Sequence, residues 1–151
     1  MAPTMKMDHE TSYAALVVDD SPIIRRVLIR ILAEYSITCE EAKTGAEAIE
    51  KFQQGLAGEH PYDIVVLDVH LPEMGGLAVL NRLREAERLQ PGSSRVHIFM
   101  LTADDSEEIV KSAVSHGADA YFLKPFDRAS LGAHLERVVG RQRTSEMGLQ
   151  E

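Results

Sequence analysis

Five short apolar runs punctuate the chain: AALVV at 14–18, ITCEE at 37–41, DIVVL at 63–67, VHIFML at 96–101 and DAYFL at 119–123. Each has strand length and is rich in β-branched or aromatic residues, so five β-strands are predicted. Between them the apolar period changes to three and four. Ile23, Ile24, Val27, Leu28, Ile31 and Leu32 make one helical face, opened by Ser21 as N-cap and Pro22 in the first turn. Thr44 caps a second helix with Ala48, Ile49 and Phe52 on its stripe, ending near Gly55 or Gly58. Gly76 leads into a third carrying Leu77, Leu80, Leu83 and Leu89, which QPGSS stops. Asp105 or Ser106 caps a fourth through Ile109, Val110, Ala113 and Val114, ended by Gly117, and Asp127 opens a fifth with Leu131, Leu135, Val138 and Val139.

Strands alternating with helices predict an α/β, doubly wound five-stranded parallel sheet with helices on both faces, because parallel strands need long crossovers. The apolar period spans residues 13–140, leaving 1–12 and 141–151 as expected tails. A chain of 151 residues, with 44% hydrophobic and 26% charged residues, has the makings of one ordinary globular domain. The net charge of −8 opposes attraction to nucleic-acid phosphates, so no direct nucleic-acid binding is expected. Cys39 is the only cysteine, which rules out an internal disulfide and suits a small buried strand residue. No segment reaches the ~18 apolar residues of a membrane span, nor does the N-terminus have a signal-peptide core, so the expected location is cytoplasmic, with no membrane partner.

In open parallel sheets functional groups gather beyond the carboxyl ends of the strands. Here the first strand ends in Asp19 and Asp20, the third in Asp68 and the fourth in Thr102, while Lys124 and Pro125 follow the fifth. An acidic pair after a strand is often a mere helix cap, but its position beside Asp68 argues for more. Three carboxylates facing one volume repel one another unless a cation intervenes, and a hard, oxygen-seeking ion such as Mg²⁺ is the natural partner. Asp68 can then act as nucleophile towards a phosphoryl group, with Lys124 neutralising its oxygens and Thr102 donating a hydroxyl hydrogen bond.

The motifs VVDDSP, VVLDVHLPEMGG, MLTA and YFLKPF, in this order and spacing, resemble the receiver domain of two-component response regulators over residues 14 to about 139. The resemblance implies a flavodoxin-like fold with strand order 2-1-3-4-5, an order the general account of this fold already illustrates with a member of the family. It also implies that Asp68 is the phosphoacceptor, Asp20 a direct Mg²⁺ ligand, Asp19 an acid holding the metal through water, and the His70 backbone carbonyl the remaining protein ligand. By the same resemblance Thr102 is the switch hydroxyl, Tyr121 the aromatic that reorients with it, Lys124 the cation on the acyl phosphate, and Pro125 the residue shaping the next turn, commonly through a cis peptide. An ordinary strand aromatic is the competing reading of Tyr121.

Two departures from the family pattern stand out. Leu71 and Gly75 replace a frequent methionine and acidic residue; the leucine conserves volume, and the glycine pair adds backbone freedom without an expected loss of function. His70 follows Asp68 by two residues, and with Asp104 it flanks the site's mouth; a solvated loop side chain lending only its carbonyl is the favoured reading.

The resemblance therefore implies a stand-alone regulatory phosphoacceptor rather than an enzyme with an external substrate. It accepts a phosphoryl group from a histidine kinase or histidine phosphotransfer protein, hydrolyses it slowly, and signals to a downstream target protein, with phosphorylation-dependent dimerisation left open. A non-phosphorylated pseudo-receiver is the main alternative, although such modules usually lose an acid or the lysine. A haloacid-dehalogenase-type hydrolase wants a second acid where His70 stands, and a Rossmann nucleotide site wants glycines that VVDDSPII lacks.

Overall fold

The computed structural model describes residues 12–147 apart from 59, 91, 93 and 105, with side chains described as far as residue 140. The expected tail residues 1–11 and 148–151 lie outside the described residues. Five strands, β1 (Tyr13–Val18), β2 (Ile37–Ala42), β3 (Ile64–Asp68), β4 (His97–Thr102) and β5 (Ala120–Leu123), form one sheet in the order β2-β1-β3-β4-β5. All pairings are parallel. The crossovers contain α1 (Pro22–Ala33), α2 (Gly45–Ala57), α3 (Gly76–Arg88) and α4 (Glu107–Ser115), and α5 (Arg128–Met147) follows β5. The helical backbone of α5 continues past Gly140, where the apolar period ends.

Strand alternation sorts the core into two layers. Leu16, Val18, Val65, Leu67, Ile98 and Met100 point to one face, where Ile49 and Phe52 of α2, Leu80 and Leu83 of α3 and Ala113 of α4 cover them. Ala15, Val17, Ile64, Val66, Phe99 and Leu101 point to the other, against Leu28 and Leu32 of α1 and Leu131 and Leu135 of α5. β3 is buried at all five positions, as a central parallel strand covered on both faces must be. Each such aliphatic side chain contributes about 1.5–3 kcal/mol on burial.

Capping follows the predicted chemistry. The hydroxyls of Ser21, Thr44 and Ser106 accept from the backbone N–H groups of Ile24, Glu47 and Ile109. Gly58 caps α2, and Gly117, at φ +102°, ends α4 in the left-handed conformation that favours glycine. Four apolar positions of the predicted helical stripes do not join the core as expected, Val114 on α4 among them at 62% exposure. Leu89 is the C-cap of α3 and 76% exposed, and Ile23 and Val27 on α1 are 68% and 41% exposed. The stripe of α1 is wider than the sheet can cover, so its outer edge faces solvent.

At the amino ends of the strands, Asp63 accepts from the Ala14 N–H at 2.8 Å, tying the start of β1 to the entry of β3. Burial raises its carboxyl above the usual range, against the Ala14 hydrogen bond and the nearby His97, both of which lower it. A carboxyl raised on folding contributes stability below its unfolded pKa and loses it as pH rises through the folded pKa. Asp63→Asn, which keeps an acceptor for Ala14, should therefore stabilise the protein near pH 7 but not at about pH 3, below the ordinary aspartate pKa of about 3.9. Urea denaturation at the two pH values checks this.

Candidate functional site

The carboxyl ends of β1, β3 and β5 converge. Carboxylate oxygens of Asp19, Asp20 and Asp68 all lie within 4.8 Å of one another. Asp19 and Asp68 are buried and Asp20 is exposed, so the cluster has one open side. Asp68 shares the alternation of Ile64 and Val66 and so emerges on the α1/α5 side of the sheet, while Thr102 shares that of Ile98 and Met100 and emerges on the other.

Each of the two buried acids is fixed by donors. Asp19 Oδ1 accepts from the Ser21 N–H at 2.9 Å at the entrance to α1, and its Oδ2 accepts from Lys124 Nζ at 2.8 Å. Asp68 Oδ1 accepts from the His70 N–H at 3.1 Å, and its Oδ2 lies 3.3 Å from Lys124 Nζ. One ammonium thus bridges both buried acids. Burial raises the Asp68 carboxyl above the ordinary aspartate range; the His70 N–H opposes this, the Asp19 charge adds to it, and Lys124 opposes it. Burial alone would lower the Lys124 ammonium, but its bond to Asp19 and the charges of Asp68 and Asp19 outweigh that, and the net shift is upward.

The donor set at the cluster is all carboxylate oxygen. Such a set fits a hard divalent cation such as Mg²⁺ and does not fit the soft metals that thiolates select. The His70 imidazole pairs outside the cluster: Nε2 lies 3.8 Å from Asp104 Oδ2, with the imidazole largely exposed and the carboxylate partly so.

Thr102 is fully buried, and its hydroxyl accepts from the Asp104 N–H at 3.1 Å. Tyr121 packs part-buried against the α2/α3/α4 core layer and donates its hydroxyl to the Asp104 carbonyl at 2.5 Å. Both therefore grip the same β4–α4 loop, from the strand beneath it and from the neighbouring strand. The Thr102 carbonyl also accepts from the Lys124 N–H at 2.7 Å, and the Lys124–Pro125 peptide is cis.

All the residues singled out in the sequence lie at this end of the sheet, and further ones join them. Arg25 donates to the Asp19 carbonyl at 2.7 Å and to Glu41 at 2.7 Å, pinning the β1–α1 turn to β2. Its place four residues after Ser21 on α1 was the only cue. Gly76 has a different part from the one expected. Neither glycine of the pair has positive φ, and a Cβ on Gly76 would stand 2.2 Å from the Asp68 carbonyl oxygen. That glycine is there for close approach of α3 to β3, not for freedom.

Comparison with known proteins agrees with this geometry. The model of the response regulator receiver domain matches residues 15–136. Chemotaxis protein CheY of Halobacterium salinarum is 34% identical over 116 residues, covering 77% of this chain and 88% of that protein. The DNA-binding transcriptional regulator NtrC of Escherichia coli is 35% identical over 123 residues, 82% of this chain but only 24% of NtrC. Among solved structures, Vibrio cholerae CheY4 superposes with a TM-score of 0.71 at 29% identity, over 84% of this chain and 98% of that one. CheY of Borrelia burgdorferi, solved in complex with CheX, BeF3 and Mg²⁺, gives 0.73 at 28% identity, over 83% and 88%. With a flavodoxin-like sheet of order 2-1-3-4-5 and a family model that matches residues 15–136, the chain belongs to the response regulator receiver domain family.

Proposed function

We propose that this chain is a phosphoacceptor switch of a two-component system: Asp68 takes a phosphoryl group from a phosphohistidine and later loses it to water. The observation that carries this reading is the single ammonium of Lys124 bridging two buried carboxylates, Asp19 at 2.8 Å and Asp68 at 3.3 Å, with Asp20 closing the cluster. A pseudo-receiver has no need to keep such a mutually repelling set.

In the reaction, a carboxylate oxygen of Asp68 attacks phosphorus, the P–N bond to the donor imidazole breaks, and the electron pair returns to that nitrogen. Asp19, Asp20, Asp68 and the His70 carbonyl would hold Mg²⁺, which when bound offsets negative charge on the carboxylates and phosphoryl oxygens. Lys124 contacts a phosphoryl oxygen, and Thr102 turns its hydroxyl towards another. Slow hydrolysis reverses the modification: water attacks phosphorus and Asp68 leaves as carboxylate. The added dianion draws Thr102 from its loop bond with Asp104 and releases Tyr121 to repack, altering the surface of α4, β5 and α5 that a target protein reads. Val114 and Leu123 are exposed apolar residues available there.

The test is incubation with acetyl phosphate and Mg²⁺ followed by intact mass. The native chain should gain one phosphoryl group and Asp68→Ala none; no adduct on either, or equal adducts on both, would overturn the reading.

Two further outcomes follow from this site. His70 serves through its backbone, and its side chain is 58% exposed. His70→Ala should leave phosphoryl acceptance and the autodephosphorylation rate unchanged, as measured by decay of the phosphorylated species. The exposed Ile23 and Val27 lie with Arg26 and Arg30 on α1, the helix that begins two residues after Asp20, and suit docking of a protein donor. Ile23→Asp should slow transfer from a histidine phosphotransfer protein about tenfold, the loss expected of a buried apolar anchor, and leave acetyl phosphate transfer intact.

A further inference from the structure

A second set of cationic side chains occupies the opposite ends of the strands. A groove of about 210 Å³ opens between the start of β4 and α5, lined by Arg95, His97, Phe99, His134, Arg137 and Val138, with Asp119 at its edge. Phe99 and Val138 are buried and form its apolar depth, whereas Arg95 and Arg137 are exposed and form its rim. The protein carries a net charge of −8, yet the two arginines lining this groove outnumber its one acid.

Asp119 is the only acid lining the groove, and its charge is already matched. Its Oδ1 accepts from Arg95 at 2.5 Å, and its Oδ2 accepts from the buried Arg84 and from the Ile98 N–H, each at 2.8 Å. Arg95 Nη2 also donates to the Gly117 carbonyl at 3.2 Å, so its guanidinium is held at the rim. Arg137 has no hydrogen bond or ion pair among the described residues. His134 is set by ring contacts with Phe99 at 5.9 Å and Phe122 at 5.0 Å, both edge-on, and its Nδ1 bonds the Ser130 carbonyl at 3.0 Å. Its Nε2 has no partner among the described residues.

We infer that this groove binds a small organic anion consisting of one flat ring and a phosphate-type group, the ring against Phe99, His134 and Val138 and the anion between Arg95 and Arg137. The volume is smaller than the roughly 300–1,000 Å³ of drug-sized sites and accommodates a single ring with its charged group. Guanidinium forks provide the donors that suit phosphate oxygens. The site is at the amino ends of β4 and β5, remote from Asp68, and does not depend on the phosphoacceptor reading.

The test is an NMR titration of the full chain with phenylphosphonate in the absence of Mg²⁺, compared with inorganic phosphate and benzyl alcohol. Amide shifts should appear at residues 95–99 and 134–138, with weaker binding of both comparators. Arg137→Ala, which removes an exposed side chain with no partner among the described residues, should weaken binding about tenfold or more, the loss of one charged hydrogen bond. Inference and groove are overturned if shifts are absent, if they map to Asp19, Asp20 and Asp68 instead, if inorganic phosphate binds as tightly, or if Arg137→Ala leaves the affinity unchanged.

Discussion

Gly76→Ala is expected to destabilise the protein by about 3 kcal/mol, at the upper end of what overpacking a tight contact costs, and to abolish most phosphoryl acceptance by the molecules that still fold. The added Cβ would meet the Asp68 carbonyl oxygen at 2.2 Å, the Val69 Cα at 2.7 Å and the Asp68 carbonyl carbon at 2.9 Å. All three are backbone atoms, so no side chain can swing away. Relief requires α3 to move off β3, breaking the 2.7 Å bond from the Gly76 N–H to the Val69 carbonyl and shifting the peptide that carries Asp68. Gly75 provides the control. A Cβ there meets nothing closer than the Val69 carbonyl oxygen at 3.7 Å, and its φ of −65° suits any residue. Gly75→Asp should gain a few tenths of a kcal/mol as an N-cap. Urea denaturation of both variants, followed by acetyl phosphate labelling of the folded fraction, measures the contrast.

Lys124→Met is expected to destabilise the protein by about 3 kcal/mol without divalent cation, because breaking a buried pair strands the remaining charge. Here two carboxylates are stranded: Asp19 is 1% exposed and Asp68 4%, and among the described residues the ammonium between them is the only side-chain cation paired with either carboxylate. The loss should shrink as pH falls, since protonating Asp68, whose carboxyl burial already raises, removes the repulsion. The native ammonium is itself raised, so its own contribution is complete below the ordinary lysine pKa and fades only as pH rises through the higher folded value. Mg²⁺ should therefore stabilise Lys124→Met more than the native chain. Thermal unfolding with and without Mg²⁺ checks the sign: equal Mg²⁺ stabilisation of the two proteins would contradict the account.

Much of this was legible in the sequence because the fold is periodic. Runs such as IVVL admit one reading once helical stripes flank them, and the acids at their ends fall together because parallel strands all exit at the same edge. The sheet order came from resemblance; periodicity alone does not say which strands are neighbours. What the pattern could not supply are contacts set by backbone proximity. Gly76 looks like any turn glycine until α3 is seen against the Asp68 carbonyl, and the Asp104 carbonyl that Tyr121 grips has no side-chain signature at all. Arg84, inside a hydrophobic stripe, is buried at 8% exposure because it bonds the Gly117 and Val96 carbonyls, Glu87 and Asp119, partners from three separate stretches of chain. Ile23 and Val27 mislead in the opposite sense: helical spacing marks them as core, whereas the sheet has no room for a stripe that wide.

The central claim is that Asp68 itself becomes an acyl phosphate, and chemical trapping tests it most directly. After incubation with acetyl phosphate and Mg²⁺, borohydride reduces an aspartyl phosphate to homoserine, which marks the residue that carried it. Peptide mass spectrometry should find homoserine at position 68 and at none of the other acids of the cluster. Homoserine at position 19 or 20, or an unreduced chain from a sample that had gained a phosphoryl group, would contradict the account.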